Sequence, residues 1–259
     1  MGEEINSILQ QTENKLDISI LGAWETGSRA YGFDNNNSDY DVTVVFQQNT
    51  DSYILEDDYT KGFCSEDVTI SSTKDIDIDG WDIRQFRDLL LSYDPMVYET
   101  LLSPKSYRTN QMFENLSSYA CNNMNPIDLF NKYQRASKHI MSQREREDGQ
   151  IPNKYLFHIA RDILIARYIK ETHKYPNLKW PVFLKSAPDS IFVEFSKDRI
   201  NNLTQRKQSP HKSKEYTYPD EKDELKQFFN YELNYEEHII EQEITPSELN
   251  KFIRQMLNK

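Results

Sequence analysis

Cysteines, glycines and long apolar runs are scarce in this chain of 259 residues. Its two cysteines, Cys64 and Cys121, lie far apart, which argues against a disulfide-stapled fold and a cysteine-based zinc site. No apolar run is long enough to span a bilayer, no charged-then-apolar segment opens the chain, and the mean hydropathy is -0.81. We therefore expect a soluble protein of the reducing cytoplasm, without a membrane partner.

Positive charge is also in deficit, because 31 Lys and Arg stand against 42 Asp and Glu, giving a net charge of -11. This disfavours a protein coated for non-specific binding to nucleic acid, since neutralising phosphates requires clustered bases. Acids dominate residues 34–82, bases are enriched at 132–167 and 197–214, and acids return at 215–243. A solvated face or loop is an alternative interpretation of each run. The five histidines lack the close spacing of a shared metal site.

Three of the few glycines, Gly22, Gly27 and Gly32, fall within one short stretch. Residues 18–24 before the Gly-Ser pair predict a strand, and the pair itself predicts a turn that opens a short helix. Free backbone N–H groups at a helix start, together with the Ser28 hydroxyl, are suited to holding phosphate. A Gly-Ser pair taken alone more often marks an ordinary turn.

A pair of carboxylates follows this turn. Asp39 and Asp41 are two residues apart at the start of the apolar run 42–46, so the alternation of a strand points both to one face. Two hard oxygen ligands side by side suit Mg²⁺, which takes one or two carboxylates plus phosphate oxygens. Residues 35–39 alone also fit a solvated hairpin loop. The combined order of strand, Gly-Ser turn, loop and Asp-x-Asp strand predicts a metal-dependent nucleotidyl transfer site.

This order resembles the signature of the DNA polymerase beta-like nucleotidyltransferases, in which Gly-Ser is followed after a short loop by Asp-x-Asp. Residues 25–32 and 38–42 are most similar to the bacterial and phage branch described as RNA-repair-pathway nucleotidyltransferases. The similarity continues through residues 77–104. The segment that contains Lys154 and Arg161 resembles a later helix of that branch. The resemblance implies an α+β fold, with a mixed sheet and flanking helices followed by a helical C-terminal part.

A third carboxylate is needed to complete a two-metal site for phosphoryl transfer. Asp75, Asp77 and Asp79 alternate with two isoleucines, which predicts three acids on one face of a strand. Periodicity alone does not choose among the three acids, and a solvent-facing sheet surface explains them as well. The resemblance selects Asp77, and Asp82 is a weaker contender on the same segment.

The resemblance also implies a role for each site residue, with a nucleoside triphosphate as co-substrate and Mg²⁺ or Mn²⁺ as cofactor. The implied metal ligands and catalytic residues are Asp39, Asp41 and Asp77, and the implied nucleotide-binding residues are Gly27, Ser28, Arg29, Lys154 and Arg161. The alternative for each of the three basic residues, Arg29, Lys154 and Arg161, is an ordinary basic side chain on the surface.

Helical periodicity replaces strand alternation after the first part of the chain. It predicts helices at 82–92, 95–102, 111–121, 126–140 and 155–170, a polar loop at 201–219 and further helix at 221–259. We predict a catalytic domain at 1–105 and a mostly helical domain at 106–259.

Three kinds of acceptor hydroxyl are considered for the nucleotide. The branch resemblance and the basic segments favour an RNA hydroxyl, for instance at a tRNA end, whereas the acidic balance opposes it. A protein Ser, Thr or Tyr hydroxyl is the second acceptor considered, and an aminoglycoside-like small molecule is the third. An inactive nucleotide- or RNA-binding module is the alternative outside enzymes.

Overall fold

The computed structural model of the protein describes residues 1–49, 51, 53, 62–63, 75–192, 196–209 and 243–257. The strands are β1 (Ile18–Thr26), β2 (Tyr40–Gln48), β3 (Gly62–Phe63), β4 (Ile76–Asp82) and β5 (Ser106–Arg108). The helices are α1 (Gly2–Leu16), α2 (Gly27–Tyr31), α3 (Ile83–Leu91), α4 (Pro95–Leu101), α5 (Gln111–Asn122), α6 (Pro126–Arg144), α7 (Asn153–Thr172), α8 (Trp180–Ser186), α9 (Lys197–Gln208) and α10 (Pro246–Leu257). A 3-10 helix spans Asp189–Phe192. Within these residues, no helix has the length and apolar character needed to cross a membrane.

The strands form one mixed sheet of five strands in the order β3-β4-β2-β1-β5. β2 and β4 run parallel, whereas β1 pairs antiparallel with both β2 and β5, and β3 pairs antiparallel with β4. The sheet and its helices confirm the α+β fold class. The predicted strand at 18–24 is also confirmed, and it continues to Thr26.

The alternation of apolar side chains gives the sheet two different faces. Ile5, Ile8 and Leu9 on α1 recur at helical spacing and pack against Val42, Val44 and Ile78 on one face. The residues of β2 and β4 that pack on α1 occupy even-numbered positions. Because side chains alternate along a strand, the odd-numbered residues lie on the opposite face. That face carries the predicted acids.

The chain forms two compact units. The first contains Met1–Gly32, Ser38–Asn123 and Ile244–Lys259, and the second contains Phe33–Asn37 and Met124–Glu243. Helix α10 returns to the first unit, where Asn250 accepts a hydrogen bond of 2.7 Å from Arg87 Nε. The predicted domain boundary after residue 105 stays a prediction.

The predicted helices of the second unit are confirmed, with small changes at their ends. α6 begins at Pro126, because proline suits the first position of a helix. The Asn125 side chain caps this helix by accepting hydrogen bonds from the backbone N–H groups of Ile127 and Asp128. α7 is buried over most of its length, and its interior includes Ile159, Ile163 and Ile169.

The loop predicted at 201–219 is wrong for residues 201–208, which continue helix α9. Ile200 and Leu203 are each 1% exposed, so a single buried stripe stabilises this mainly polar helix. The helix predicted at 221–259 is confirmed over Pro246–Leu257. Residues 210–242, with most of the acidic run and the end of the basic run, lie outside the described residues.

Candidate active site

Three neighbouring strands place the predicted acids in rows across the sheet. β2 and β4 pair Asp41 with Asp77 in parallel register, and β1 pairs Thr26 with Asp41 on the other side. The next row pairs Thr43 with Asp79. The four side chains of β2 and β4 occupy the face opposite α1, because each lies an odd number of positions from the residues of its own strand that pack on that helix. Thr26 shares this face, since its Oγ1 lies 3.1 Å from Thr43 Oγ1. The structure therefore brings Asp41 and Asp77 together.

The Asp41 side chain packs directly against Gly27. Its φ of +67° lies in the left-handed region, and a Cβ atom here would lie 1.9 Å from Asp41 Oδ2. Only glycine satisfies both conditions at this position. The short helix predicted after it is confirmed as α2, which closes with a 3.0 Å hydrogen bond from Gly32 N to Ser28 O. The Asp41 carboxylate thus lies directly against the predicted phosphate-binding turn.

Arg29 holds the segment that carries Asp39. Its Nε donates to the carbonyl oxygens of Ser38 and Asp39 at 2.9 and 3.1 Å, and its guanidinium carbon lies 4.1 Å from the centre of the Tyr40 ring. Sequence reasoning predicted a phosphate contact for Arg29 and missed this positioning role, for which the aromatic residue inside Asp-x-Asp was the available signal. Asp39 itself is exposed immediately before β2.

The three acids at and just before the start of β4 occupy different environments. Asp75 and Asp77 are exposed, whereas Asp79 is half-buried. Burial, together with the neighbouring Asp77 carboxylate, raises the pKa of Asp79, while a hydrogen bond with Thr43 acts in the opposite direction. Asp79 Oδ1 is buried and has no hydrogen-bond partner among the described residues. Asp79 is therefore held within the sheet surface, whereas the Asp77 side chain is exposed to solvent.

Asp82, the weaker contender for the third carboxylate, has a structural role. It is fully buried at the N-cap of α3, where it accepts hydrogen bonds from Arg84 N at 2.8 Å, Tyr53 OH at 2.6 Å and Gln48 Nε2 at 3.4 Å. It also lies five residues beyond Asp77, about 16 Å along an extended strand. Asp82 therefore does not belong to the site.

The structural role of Asp82 gives a stability prediction. Asp82→Ala removes a helix cap and leaves buried donors of Tyr53 and Gln48 without their acceptor, so the free energy of unfolding should fall by about 2–4 kcal/mol. Urea denaturation followed by circular dichroism measures this loss. Asp75→Ala, at an exposed position, is the control and should change stability by less than about 0.5 kcal/mol. Equal stability of the two variants would contradict the anchoring role.

Lys154 and Arg161 belong to the second compact unit, whereas the other predicted site residues belong to the first. Lys154 is exposed, and its Nζ lies 5.9 Å from the centre of the Tyr155 ring. Arg161 is 5% exposed, and its Nη1 lies 3.0 Å from Asp162 Oδ1. Arg161 is therefore a buried cation rather than an ordinary surface base.

Comparison with known proteins assigns the family. A model of the RNA repair pathway DNA polymerase beta family, RlaP, matches residues 1–255. The chain belongs to this family. The chain is also similar to the uncharacterized protein YcgL of Bacillus subtilis (strain 168), with 24% identity over 190 residues that cover 71% of this chain and 69% of the relative. Membership in the RlaP family confirms the resemblance and points to a polymerase beta-like nucleotidyltransferase of an RNA repair pathway.

The carboxylates of this member of the RlaP family fit a divalent cation that takes some of its ligands from the protein and the others from a substrate. Among the described residues, no group of three or more His, Cys, Asp or Glu side chains forms a preassembled metal site. Mg²⁺ requires only one or two protein carboxylates when phosphate oxygens supply further ligands. Asp41 and Asp77, paired in register on one face, match that need, and Asp39 lies just before the same strand.

Proposed function

We propose that this protein transfers a nucleoside monophosphate from a nucleoside triphosphate to an acceptor hydroxyl, in a metal-dependent reaction that releases pyrophosphate. The pairing of Asp41 with Asp77 beside Gly27 is the observation that supports it best. Two like charges at directly paired positions of a sheet repel each other, and a bound cation would offset that repulsion. A glycine pressed against one of them brings a backbone turn to the same place.

The chain's own residues provide positioning and charge in this proposal. The Gly27 backbone and the Ser28 hydroxyl would bind the β- and γ-phosphates, and Arg29 would keep the Asp39 segment in place. Asp39, Asp41 and Asp77 would hold Mg²⁺ or Mn²⁺, which when bound neutralises phosphate charge and lowers the pKa of the acceptor hydroxyl. The acceptor oxygen forms a bond to the α-phosphorus, and the bond to the pyrophosphate oxygen breaks in line with it.

An RNA hydroxyl is the acceptor that we propose, because the description of the family names an RNA repair pathway. Nucleotide identity, a tRNA end as the particular acceptor and a cytoplasmic location remain predictions. The bases of the second unit also favour an RNA partner, although the net charge of -11 requires that they act locally.

A transfer assay tests the proposal directly. The full chain is incubated with each of the four α-³²P-labelled nucleoside triphosphates and Mg²⁺, against total RNA and against lysate protein. We expect magnesium-dependent label that nuclease removes and protease leaves. Label removed only by protease would identify a protein acceptor and overturn the RNA proposal. Absence of transfer to both RNA and protein would overturn the RNA proposal and favour a small-molecule acceptor or an inactive binding module.

A further inference from the structure

Tyr40, the residue between Asp39 and Asp41, has cationic side chains from two other segments near its ring. The Arg29 guanidinium carbon lies 4.1 Å from the centre of the ring, and Lys105 Nζ lies 5.9 Å from it. The ring is half-buried and packs on the α1 face of the sheet. Since side chains alternate along a strand, Asp41 points to the opposite face. The ring therefore lies outside the candidate site, on the strand that carries it.

Lys105 is held in place by a buried carboxylate. Glu25 is 2% exposed, and its Oε2 lies 2.5 Å from Lys105 Nζ. The two residues are also joined through the backbone, because Glu25 N donates to Lys105 O at 3.0 Å. Partial burial acts to lower the pKa of Lys105, but the Glu25 carboxylate outweighs this effect and raises it, so the ammonium is charged at physiological pH. A long and flexible side chain is thereby fixed with its charge near Tyr40.

These contacts connect the separate parts of the candidate site. Glu25 lies two residues before Gly27 near the end of β1, and Arg29 lies two residues after it in α2. Tyr40 N donates to Asp75 O at 2.7 Å, which ties the start of β2 to the segment that leads into β4. The residue inside the Asp-x-Asp pair is therefore linked both to the predicted phosphate-binding turn and to the strand that carries the third acid.

We propose that Tyr40 is a positioning residue for the metal site. Its ring, held by Arg29 and Lys105, fixes the two carboxylates of the Asp-x-Asp pair beside the phosphate-binding turn. The role requires the ring and not the hydroxyl, because a cation is attracted to the face of an aromatic ring. Ligands that are already in place lose less conformational freedom when a metal ion binds, so a looser segment weakens metal binding. The effect on metal binding and transfer rests on the proposed function, whereas the ordering of the segment does not.

Two substitutions at Tyr40 separate the aromatic ring from apolar bulk. Tyr40→Phe keeps the ring and should reach half-maximal transfer at the same Mg²⁺ concentration as the wild type. Tyr40→Leu loses both cation contacts and should need about fivefold more Mg²⁺, with a smaller loss of rate at saturating Mg²⁺. Tyr119→Leu, at a half-buried tyrosine of α5 in the same unit, is the matched control and should keep the wild-type Mg²⁺ requirement. Equal Mg²⁺ requirements in Tyr40→Leu and Tyr40→Phe would overturn the proposal.

The ion pair gives a second test that leaves the ring intact. The double variant Glu25→Gln/Lys105→Met removes both charges together, so no buried charge loses its partner, and it should unfold at nearly the same temperature as the wild type. Loss of one cation from the ring should nevertheless raise the Mg²⁺ requirement about two- to threefold. A pair that serves only the stability of the fold predicts no such increase. An unchanged Mg²⁺ requirement in the folded double variant would refute the role of Lys105.

Amide hydrogen exchange tests the positioning role without any catalytic measurement. In the absence of nucleotide and metal, the amides of residues 38–41 should exchange about fivefold faster in Tyr40→Leu than in Tyr40→Phe, because the segment opens locally more often. The amides of α5 report global stability and should exchange equally in both variants. Mass spectrometry of peptic peptides measures both regions in one experiment. Equal exchange of residues 38–41 in the two variants would count against the proposal.

The two kinds of measurement separate this inference from the proposed function. Faster exchange of residues 38–41 in Tyr40→Leu, in a protein whose wild type transfers no nucleotide, would uphold the ordering of the segment and defeat the proposed function. Transfer that Asp41→Asn abolishes, but that Tyr40→Leu leaves unchanged at every Mg²⁺ concentration, would uphold the proposed function and defeat this inference.

Discussion

Replacing Asp41 by Asn should lower the rate of nucleotidyl transfer by about a thousandfold or more while the protein stays folded, in line with the loss of a charged metal ligand. Asp41 pairs with Asp77 across two parallel strands and lies against Gly27, where its carboxylate leaves no space for a Cβ atom. Asparagine keeps the size of the side chain, so it preserves this fit. It removes one of two facing negative charges, so the free energy of unfolding should be unchanged or slightly higher.

Single-turnover rates at saturating nucleotide and a range of Mg²⁺ concentrations measure this effect, with urea denaturation of the same preparation as the folding control. Asp88→Asn is the charge-matched variant, because the Asp88 side chain is 69% exposed and pairs with Arg87 on α3. It should retain transfer within a factor of two or three of the wild type. A folded Asp41→Asn protein with a normal rate would remove Asp41 from the metal site and leave the proposed mechanism without its main support.

Local features of the candidate site were predictable from the sequence because short-range chemistry determines them. The Gly-Ser turn, the short helix and the Asp-x-Asp strand follow from conformational preferences over a few residues. Helices α4 and α6 likewise begin at prolines that follow a capping Asp or Asn. These elements fix which residues reach the site, although they do not fix which strands lie side by side.

Strand neighbours and buried partners come from contacts between distant parts of the chain. Asp82 was a candidate ligand by sequence because its partners, Tyr53 and Gln48, lie far upstream and no local pattern connects them. Lys207 belonged to a basic run that sequence interpreted either as a solvated surface or as a contact to RNA, and only the packing of α9 shows it beside Phe33. Whether a charged side chain is buried or exposed thus depends on tertiary packing, which composition and periodicity do not reveal.

Replacing Asp77 by Asn should abolish transfer, whereas Asp75→Asn and Asp79→Asn should each cost no more than about tenfold, or roughly 1.4 kcal/mol of transition-state stabilisation. The structure gives a reason for the difference among these near-identical acids. Asp77 is the exposed partner of Asp41, whereas Asp79 occupies the next row beside Thr43. Asp75 and Asp79 are each about 7 Å from Asp77 along the strand, too far to replace it as a direct ligand.

The three asparagine variants change charge equally and side-chain volume very little, so their comparison tests position alone. Asp79→Asn additionally places an amide where a carboxylate oxygen is buried without a partner, so this variant should be at least as stable as the wild type. Transfer rates are compared at saturating nucleotide and Mg²⁺, so that a lower rate reports lost transition-state stabilisation and not weaker binding of either one. An inactive Asp79→Asn beside an active Asp77→Asn would place the reacting phosphate one row further into the sheet, next to Thr43 rather than Gly27.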